Sequence, residues 1–263
     1  MTRAFVLAVF TLGRALCAQP TPAEPAIVTR EVFLGDSAVH IVTSVGAEGM
    51  ADYLVLHDDE NTAVDAGLEM VRRRGGRLVE LRAHGERNVS FASGSRRYAV
   101  DPNRVFTEAG VATTLRRLSE SPLDDLARSD ARRLARVVIA AYFRPGTRAV
   151  VTLHNNTDGA YSAASYAAGG DLAGDAADVH LTAGADPDDF FFVTTRELFD
   201  ALARRGFTVV LQDNERVTDD GSLSVWAGRR GLPYVNVEAQ HGHLERQVEM
   251  LEVLGEVLVD ELR

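Results

Sequence analysis

The stretch YLVLHDDENTAVDAG, residues 53–67, joins a strand pattern to a helix pattern with polar residues at the junction. Four mostly apolar residues run into one histidine and three acidic residues, His57 to Glu60, and an amphipathic segment follows at once. A short apolar run that leads directly into helical periodicity is typical of a strand–helix unit in an α/β protein. The stretch therefore predicts a buried strand whose carboxyl end carries an imidazole and three carboxylates.

The same alternation of strand and helix patterns continues along the chain. Strand-like runs occur at 31–45, 53–57, 77–83, 148–156, 189–195, 207–214 and 232–240, and helical patterns at 61–74, 123–143, 196–205 and 244–262. Short apolar strands that alternate with helices favour an α/β fold with helices on both faces of the sheet. We predict a single domain over residues 27–263, built on a mixed, mostly parallel sheet.

The composition limits the classes of partner. The chain has 263 residues, 46% of them hydrophobic, which is enough for one sizeable core. Its formal net charge is −10, and all 28 basic side chains are arginines because the chain contains no lysine. This acidic balance disfavours nucleic acid or an anionic membrane as the main partner.

The amino-terminal segment predicts export. Residues 1–18 combine Arg3, an apolar stretch and a small-residue cleavage site before Gln19, which together are typical of a signal peptide. The apolar stretch is too short and too interrupted for a membrane span, so no stable membrane insertion is expected. Residues 19–26 are predicted to form a Pro-rich linker. The mature domain is therefore expected in the periplasm or outside the cell.

Polar residues concentrate where the predicted strands end. In open α/β sheets, ligands bind beyond the carboxyl ends of the strands, and these ends carry His57 with Glu60, His154, and Glu238. An imidazole and a carboxylate three residues apart could bind one metal ion, and zinc takes such nitrogen and oxygen ligands. Glu60 could equally be a first-turn acid that the helix dipole favours, and the two aspartates before it could cap that helix.

Five short motifs follow one another in order: HDDE, GERNVSF, DPNR, TLHNN and YVNVEAQ, within about residues 53–245. The ordered set resembles the zinc carboxypeptidase superfamily, which includes the succinylglutamate desuccinylase and aspartoacylase branch. The resemblance implies a zinc carboxypeptidase-like fold. It also implies a zinc ion held by His57, Glu60 and His154.

The resemblance assigns roles to further residues. Glu238 would be the general base, and Arg87 would stabilise the oxyanion. Asn103 and Arg104 would bind a free carboxylate of the substrate, and Ser224 in the segment GSLSVW would lie near the base of a specificity pocket. A base, an oxyanion donor and a carboxylate clamp beside zinc are the parts needed to hydrolyse an amide close to a free carboxylate.

The chain departs from this pattern at one position. Digestive-type carboxypeptidases have a mobile tyrosine a few residues before the segment that GSLSVW resembles, whereas Val217 stands about there in this chain. Tyr161 and Tyr166, in the loop after the third predicted ligand, could approach the site from another side.

Three other polar residues have less specific interpretations. Asp101 could hold one of the two predicted site arginines in place, or could form an ordinary Asp-Pro turn. His241 and His243 form a His-x-His pair that could bind metal, although a surface loop before the last helix is the simpler interpretation.

These features together predict an exported zinc-dependent hydrolase of amide or peptide bonds. Its substrates would be small peptides or acyl amino acids with a free carboxylate, and cell-wall muropeptides are the first guess because an exported enzyme meets them. An N-acyl amino acid deacylase and an N-acetylmuramoyl-alanine amidase are alternatives with the same chemistry. A non-catalytic carboxylate-binding protein of the same fold is a further alternative, which would have no need of the base Glu238.

Overall fold

The structure is a computed structural model that describes residues 24–49 and 51–261. The strands are β1 (Ala26–Leu34), β2 (Ser37–Val45), β3 (Asp52–Val55), β4 (Arg77–Arg82), β5 (Val89–Ser93), β6 (Arg96–Val100), β7 (Val150–Asn156), β8 (Ala176–His180), β9 (Phe190–Val193), β10 (Val209–Gln212) and β11 (Tyr234–Gln240). The helices are α1 (Asn61–Arg74), α2 (Glu108–Leu118), α3 (Asp125–Tyr142), α4 (Arg196–Arg204), α5 (Leu223–Gly228) and α6 (Leu244–Glu261). The predicted signal peptide lies outside the described residues, as do residues 19–23 of the predicted linker.

Nine strands form one mixed sheet in the order β1-β2-β4-β3-β7-β11-β9-β10-β8. The central strands β4, β3, β7 and β11 run parallel to one another. The strands at both edges bring in antiparallel pairs, and β5 and β6 form a separate hairpin. The predicted α/β fold with a mixed sheet is therefore confirmed.

Helices cover both faces of the sheet, as the sequence predicts. One core packs beneath α1, α4 and α6 and contains Met70, Leu202 and Leu254. The other packs beneath α2, α3 and α5 and contains Leu115 and Leu134. Among the described residues, no helix combines the length and the apolar character needed to cross a membrane.

The sequence did not predict several parts of the fold, and the strand β8 and the short helix α5 are two of them. The run 31–45 belongs to a hairpin, since β1 begins at Ala26 and turns into β2 through Gly35, whose φ is +53°. Helix α2 has weak helical propensity because its 11 residues include a glycine and two threonines. It starts nevertheless because the Thr107 side chain accepts a hydrogen bond from Gly110 N. The β5–β6 hairpin is short and lies outside the main sheet.

The parallel centre of the sheet brings the predicted metal ligands to one edge. His57 follows β3 by two residues, and His154 lies near the end of β7. Glu238 in β11 is directly opposite His154 in the strand register. Asn155, the next residue of β7, accepts a hydrogen bond of 2.8 Å from Ala63 N in the first turn of α1. The start of α1 is thus tied to the strand that carries His154.

Two glycines allow a close backbone contact beneath Arg104. A Cβ on Gly221 would collide with the Arg104 carbonyl oxygen and would lie 2.5 Å from Gly110 Cα. This contact joins the turn that presents Arg104 to the start of α2 and to the segment that leads into α5.

Replacing Gly221 should therefore destabilise the fold by more than the backbone strain of its positive φ would alone. Gly221→Ala should lower the free energy of unfolding by about 1–3 kcal/mol more than Gly146→Ala does. Gly146 is the matched control because its φ of +90° is close to the +86° of Gly221, while a Cβ added to it would meet no atom within 4 Å. Denaturant unfolding of both variants measures the difference, and equal losses would show that the contact is not there.

Candidate metal centre and active site

His57, Glu60 and His154 bring three potential metal ligands to one buried point. His57 Nδ1 lies 2.9 Å from Glu60 Oε1 and 3.2 Å from His154 Nδ1. Glu60 Oε2 lies 3.0 Å from His154 Nδ1. All three side chains are buried. The residues that the sequence predicts as ligands therefore meet although His57 and His154 are 97 positions apart.

The spacing of these atoms suits a four-coordinate zinc ion. Zinc bound at about 2.0–2.2 Å from nitrogen and oxygen ligands in tetrahedral geometry separates the ligand atoms by about 3.3 Å. The three observed separations, from 2.9 to 3.2 Å, are slightly shorter than this. Two imidazoles and one carboxylate are also the ligand set of catalytic zinc sites that keep a fourth position open. The residues present thus fit zinc.

Asp101 orients the first of these imidazoles. Its Oδ1 accepts a hydrogen bond of 2.9 Å from His57 Nε2, and it also caps the short turn that follows by accepting from Asn103 N. A histidine whose Nε2 donates to a carboxylate presents a Nδ1 lone pair to a metal. The sequence indicated Asp101 only as a partner for an arginine or as a turn residue, whereas its side chain contacts His57 and also caps a turn.

Glu60 occupies the position before α1 but does not cap the helix. Its side chain makes no cap hydrogen bond and points to the two histidines and to Arg87. Asp58 does not cap α1 through its Oδ2 either, since that oxygen accepts hydrogen bonds from Ala83 N and Gly85 N. The polar junction after β3 therefore supplies a potential metal ligand and holds the loop that leads to Arg87.

The electrostatics of this centre attract a cation. Burial alone would lower the pKa of His57, but the Glu60 and Asp101 carboxylates outweigh it and raise that pKa to about 9. Burial would raise the pKa of Glu60, yet His154 and His57 hold it well below its usual range. The pKa of Asp101 is likewise held low, against burial, by the hydrogen bond from His57. Both carboxylates are therefore ionised next to the imidazoles.

All eight residues that the sequence places in the site line one cavity of about 540 Å³. They are His57, Glu60, Arg87, Asn103, Arg104, His154, Ser224 and Glu238. The structure thus places all eight around one cavity, and the role of each residue is a prediction.

Glu238 is a buried carboxylate that lines the same cavity as the three potential ligands and is not a member of their group. Burial raises its pKa above the ordinary value, although the nearby His154 acts in the opposite direction. Asn236 Nδ2 donates a hydrogen bond of 2.8 Å to Glu238 Oε1. Thr152 donates in turn to Asn236 Oδ1 and lies 2.7 Å from the Tyr234 hydroxyl. No local pattern in the sequence indicates this hydrogen-bonded chain, because its members come from two strands that pair only in the fold.

The predicted substrate-binding residues lie around the same cavity. Arg87 NH1 donates to Glu60 Oε1 at 2.8 Å, and its side chain is about half exposed. A hydrogen bond from Leu223 N, at the start of α5, to Asn103 Oδ1 holds the Asn103 side chain in place. Ser224 is buried, with its hydroxyl 3.0 Å from that of Ser222.

Residues whose roles the sequence does not decide also line the cavity. Tyr161, Tyr166 and Val217 all belong to its lining. His241 does so as well, whereas His243 contacts both carboxylate oxygens of Asp189 at 3.0 and 3.2 Å. In the described part of the chain, Asp186, Asp189 and His243 form a second group with ligand atoms within 4.8 Å of one another.

Comparisons with known proteins give likenesses of fold. No protein-family model and no curated protein matches the chain. A succinylglutamate desuccinylase/aspartoacylase structure from Rhodobacter sphaeroides is 14% identical, with 92% of this chain and 68% of that one covered and a TM-score of 0.43. A metallo-carboxypeptidase from Burkholderia cenocepacia is 12% identical, with 89% and 65% covered and a TM-score of 0.41.

The murein-tripeptide amidase MpaA from Escherichia coli O157 is similar over nearly its full length. It is 15% identical, with 95% of this chain and 97% of that one covered and a TM-score of 0.44. At these identities the likeness concerns the fold alone, so the function proposed below rests on the geometry of the site.

The ligand geometry predicts the metal content. The chain purified without added metal should contain close to one zinc per molecule, and His154→Ala should lose most of it because two ligands hold zinc far more weakly than three. His243→Ala is the control and should keep its zinc. Elemental analysis of the three proteins tests this. Full occupancy in His154→Ala, or loss in His243→Ala, would place the metal at the second group instead.

Proposed function

We propose that the chain is a zinc-dependent hydrolase of amide bonds that lie close to a free carboxylate. The observation that carries this proposal is the position of Glu238. It is a buried carboxylate that shares a cavity with three convergent metal ligands and is not itself one of them. A protein that only binds carboxylates has no use for such a group next to a complete ligand set.

Each side chain has one task in this reaction. Glu238 takes a proton from the attacking water and returns it to the nitrogen of the leaving amine, a role typically worth ~10²–10⁴-fold in rate. Asn236 Nδ2 donates to Glu238 Oε1 at 2.8 Å, and Asn156 Nδ2 donates to Oε2 at 3.5 Å, so the two amides fix the orientation of the carboxylate toward the water. Arg87 donates to the oxyanion as negative charge develops on the carbonyl oxygen. Zinc, when bound, supplies a water of lowered pKa and polarises the carbonyl.

Arg104 provides the preference for a nearby carboxylate. Its side chain is about two-thirds buried, and its guanidinium lies in the cavity that also holds the metal ligands. Arginine recognises carboxylates with charge-assisted hydrogen bonds that an amide cannot replace. Burial lowers the pKa of Arg104, but Asp220 and Asp101 more than compensate, so it remains a cation.

Cell-wall muropeptides are the substrates that we propose to test first. They carry short peptides that end in free carboxylates, which is the chemistry that Arg104 and the base require. The predicted export signal at residues 1–18 supports this choice, since it would deliver the enzyme to the cell wall.

Glu238→Gln separates catalysis from binding. Glutamine has nearly the same volume but cannot accept the proton of the water at neutral pH, so kcat should fall by at least ~10²-fold. The variant should fold normally and keep its zinc. The measurement is the release of products from purified muropeptides by the wild-type chain and the variant, together with their zinc content.

Two results would contradict the assignment of Glu238. Unchanged activity with unchanged metal would show that the base is elsewhere. Loss of zinc together with activity would make Glu238 a ligand, and Glu60 would then be only a carboxylate at the start of α1.

Arg104→Ala tests the carboxylate preference. It should lower kcat/KM for a free-acid substrate by a factor that corresponds to about 2–3 kcal/mol, and amidating that carboxylate should have a similar effect on the wild-type chain. Arg116→Ala is the control, because Arg116 is exposed on α2 and outside the cavity. Equal turnover of free-acid and amidated substrates would refute this preference.

A further inference from the structure

Asp58 holds a backbone turn that belongs to a different part of the chain. Its Oδ2 accepts hydrogen bonds of 2.6 Å from both Ala83 N and Gly85 N, in the loop between β4 and β5. Two N–H groups that converge on one oxygen form a small anion-binding concavity of the backbone. Hydrogen bonds from N–H groups to a carboxylate are charge-assisted and therefore strong. The residue that follows His57 thus clamps a loop that leaves the neighbouring strand β4.

The turn between these two N–H groups is strained. His84 has a φ of +63°, and among the described residues it is the one non-glycine residue with a positive φ. A side chain in this left-handed region crowds its own backbone, so the conformation persists only where other interactions impose it. The two hydrogen bonds to Asp58 impose it here, because they require the N–H groups on both sides of His84 to point at one oxygen. Such strain is typical of functional sites.

The loop has few other contacts that would fix its backbone. Residues 84–87 are all exposed. Within the described residues, the one hydrogen bond between backbone groups of the loop joins Glu86 N to the Ala83 carbonyl oxygen at 3.3 Å. The clamp at Asp58 is therefore what ties this backbone to the rest of the fold between β4 and β5.

Arg87 stands near the end of this loop, where its side chain reaches the cavity. Its guanidinium is about half exposed, and in the described part of the chain Glu60 is its one hydrogen-bond partner. An arginine side chain has several rotatable bonds, so one contact at its tip does not define where its other donors point. The direction of these donors therefore depends on the backbone that the clamp holds.

We propose that Asp58 is a positioning residue, which clamps the strained turn at His84 and thereby aims Arg87 at the oxyanion. Because His57 and Asp58 are adjacent, one junction fixes the potential metal ligand and the oxyanion donor relative to each other. Such alignment matters because a misplacement of about 1 Å can cost about 10²-fold in rate. The inference rests on the role of Arg87 in the proposed function.

A double-mutant cycle tests whether Asp58 acts through Arg87. Asp58→Ala should lower kcat for release of products from muropeptides about 10-fold or more and leave KM nearly unchanged, because the lost alignment matters most in the transition state. Arg87→Ala should lower kcat by about 10²–10³-fold. The double variant should be no slower than Arg87→Ala, since no oxyanion donor is left to position. Losses that multiply in the double variant, or an unchanged kcat in Asp58→Ala, would overturn the inference.

Further variants exclude a general loss of stability. Asp58→Asn keeps an acceptor oxygen of the same reach, so it should fold and should lose less activity than Asp58→Ala. Asp36→Ala is the matched control, because Asp36 Oδ1 accepts a hydrogen bond of 2.7 Å from Ala92 N in β5 and Asp36 lies outside the cavity. It should keep the wild-type kcat, and an equal loss in this variant would refute a specific role of Asp58. Elemental analysis should find wild-type zinc in Asp58→Ala, and loss of zinc there would show that Asp58 acts on the metal centre instead.

A binding measurement separates this inference from the proposed hydrolase. The probe is a phosphinate analogue of N-acetylalanyl-alanine, in which a tetrahedral PO₂⁻ group replaces the scissile amide, titrated calorimetrically into the zinc-loaded full chain. Its affinity should fall about 10-fold or more in Asp58→Ala and in Arg87→Ala, and no further in the double variant than in Arg87→Ala. This result in a chain that hydrolyses nothing supports the clamp and refutes the hydrolase. Hydrolysis by the wild-type chain, with phosphinate binding that ignores Asp58, supports the hydrolase and refutes the clamp.

Discussion

The structure depends on the meeting of two imidazole nitrogens and one carboxylate at a single buried point. With Nε2 of His57 hydrogen-bonded to Asp101, its Nδ1 faces His154 Nδ1 at 3.2 Å, and the ionised Glu60 carboxylate completes the group. Buried groups of this kind are stable only when a proton or a metal ion lies between them. The group therefore requires a positive charge at its centre, and the rest of the site surrounds that centre.

Buried amides hold the elements that bring these ligands together. Gln247 of α6 is fully buried and donates to the carbonyl oxygens of His154 and Val237, so it bridges β7 and β11. Asn155 accepts from α1 and donates to Gln247 Oε1. These hydrogen bonds fix two helices and two strands relative to one another where the predicted ligands emerge. The proposed metal centre and base need such rigid support, because small shifts of the ligands would weaken both functions.

The sequence predicts most of this arrangement where a local pattern carries the information. Helix α1 begins and ends as its amphipathic pattern indicates, and the strand ends that carry His57, His154 and Glu238 follow from apolar runs and from the rule for α/β sheets. Partners that are distant in the chain leave no such pattern. The contact of Asp101 with His57 spans 44 positions and depends on a turn whose packing only the fold defines. Helix α2 was missed because its stability comes from its cap and its packing and not from its propensity.

The central claim is that His57, Glu60 and His154 bind one zinc ion. The most direct test is anomalous diffraction at the zinc absorption edge, from crystals of the chain loaded with one equivalent of zinc. The predicted result is one peak at bonding distance, about 2.0–2.2 Å, from Nδ1 of His57, Nδ1 of His154 and the Glu60 carboxylate. A peak confined to Asp186, Asp189 and His243, or no peak between the two imidazoles, would contradict it.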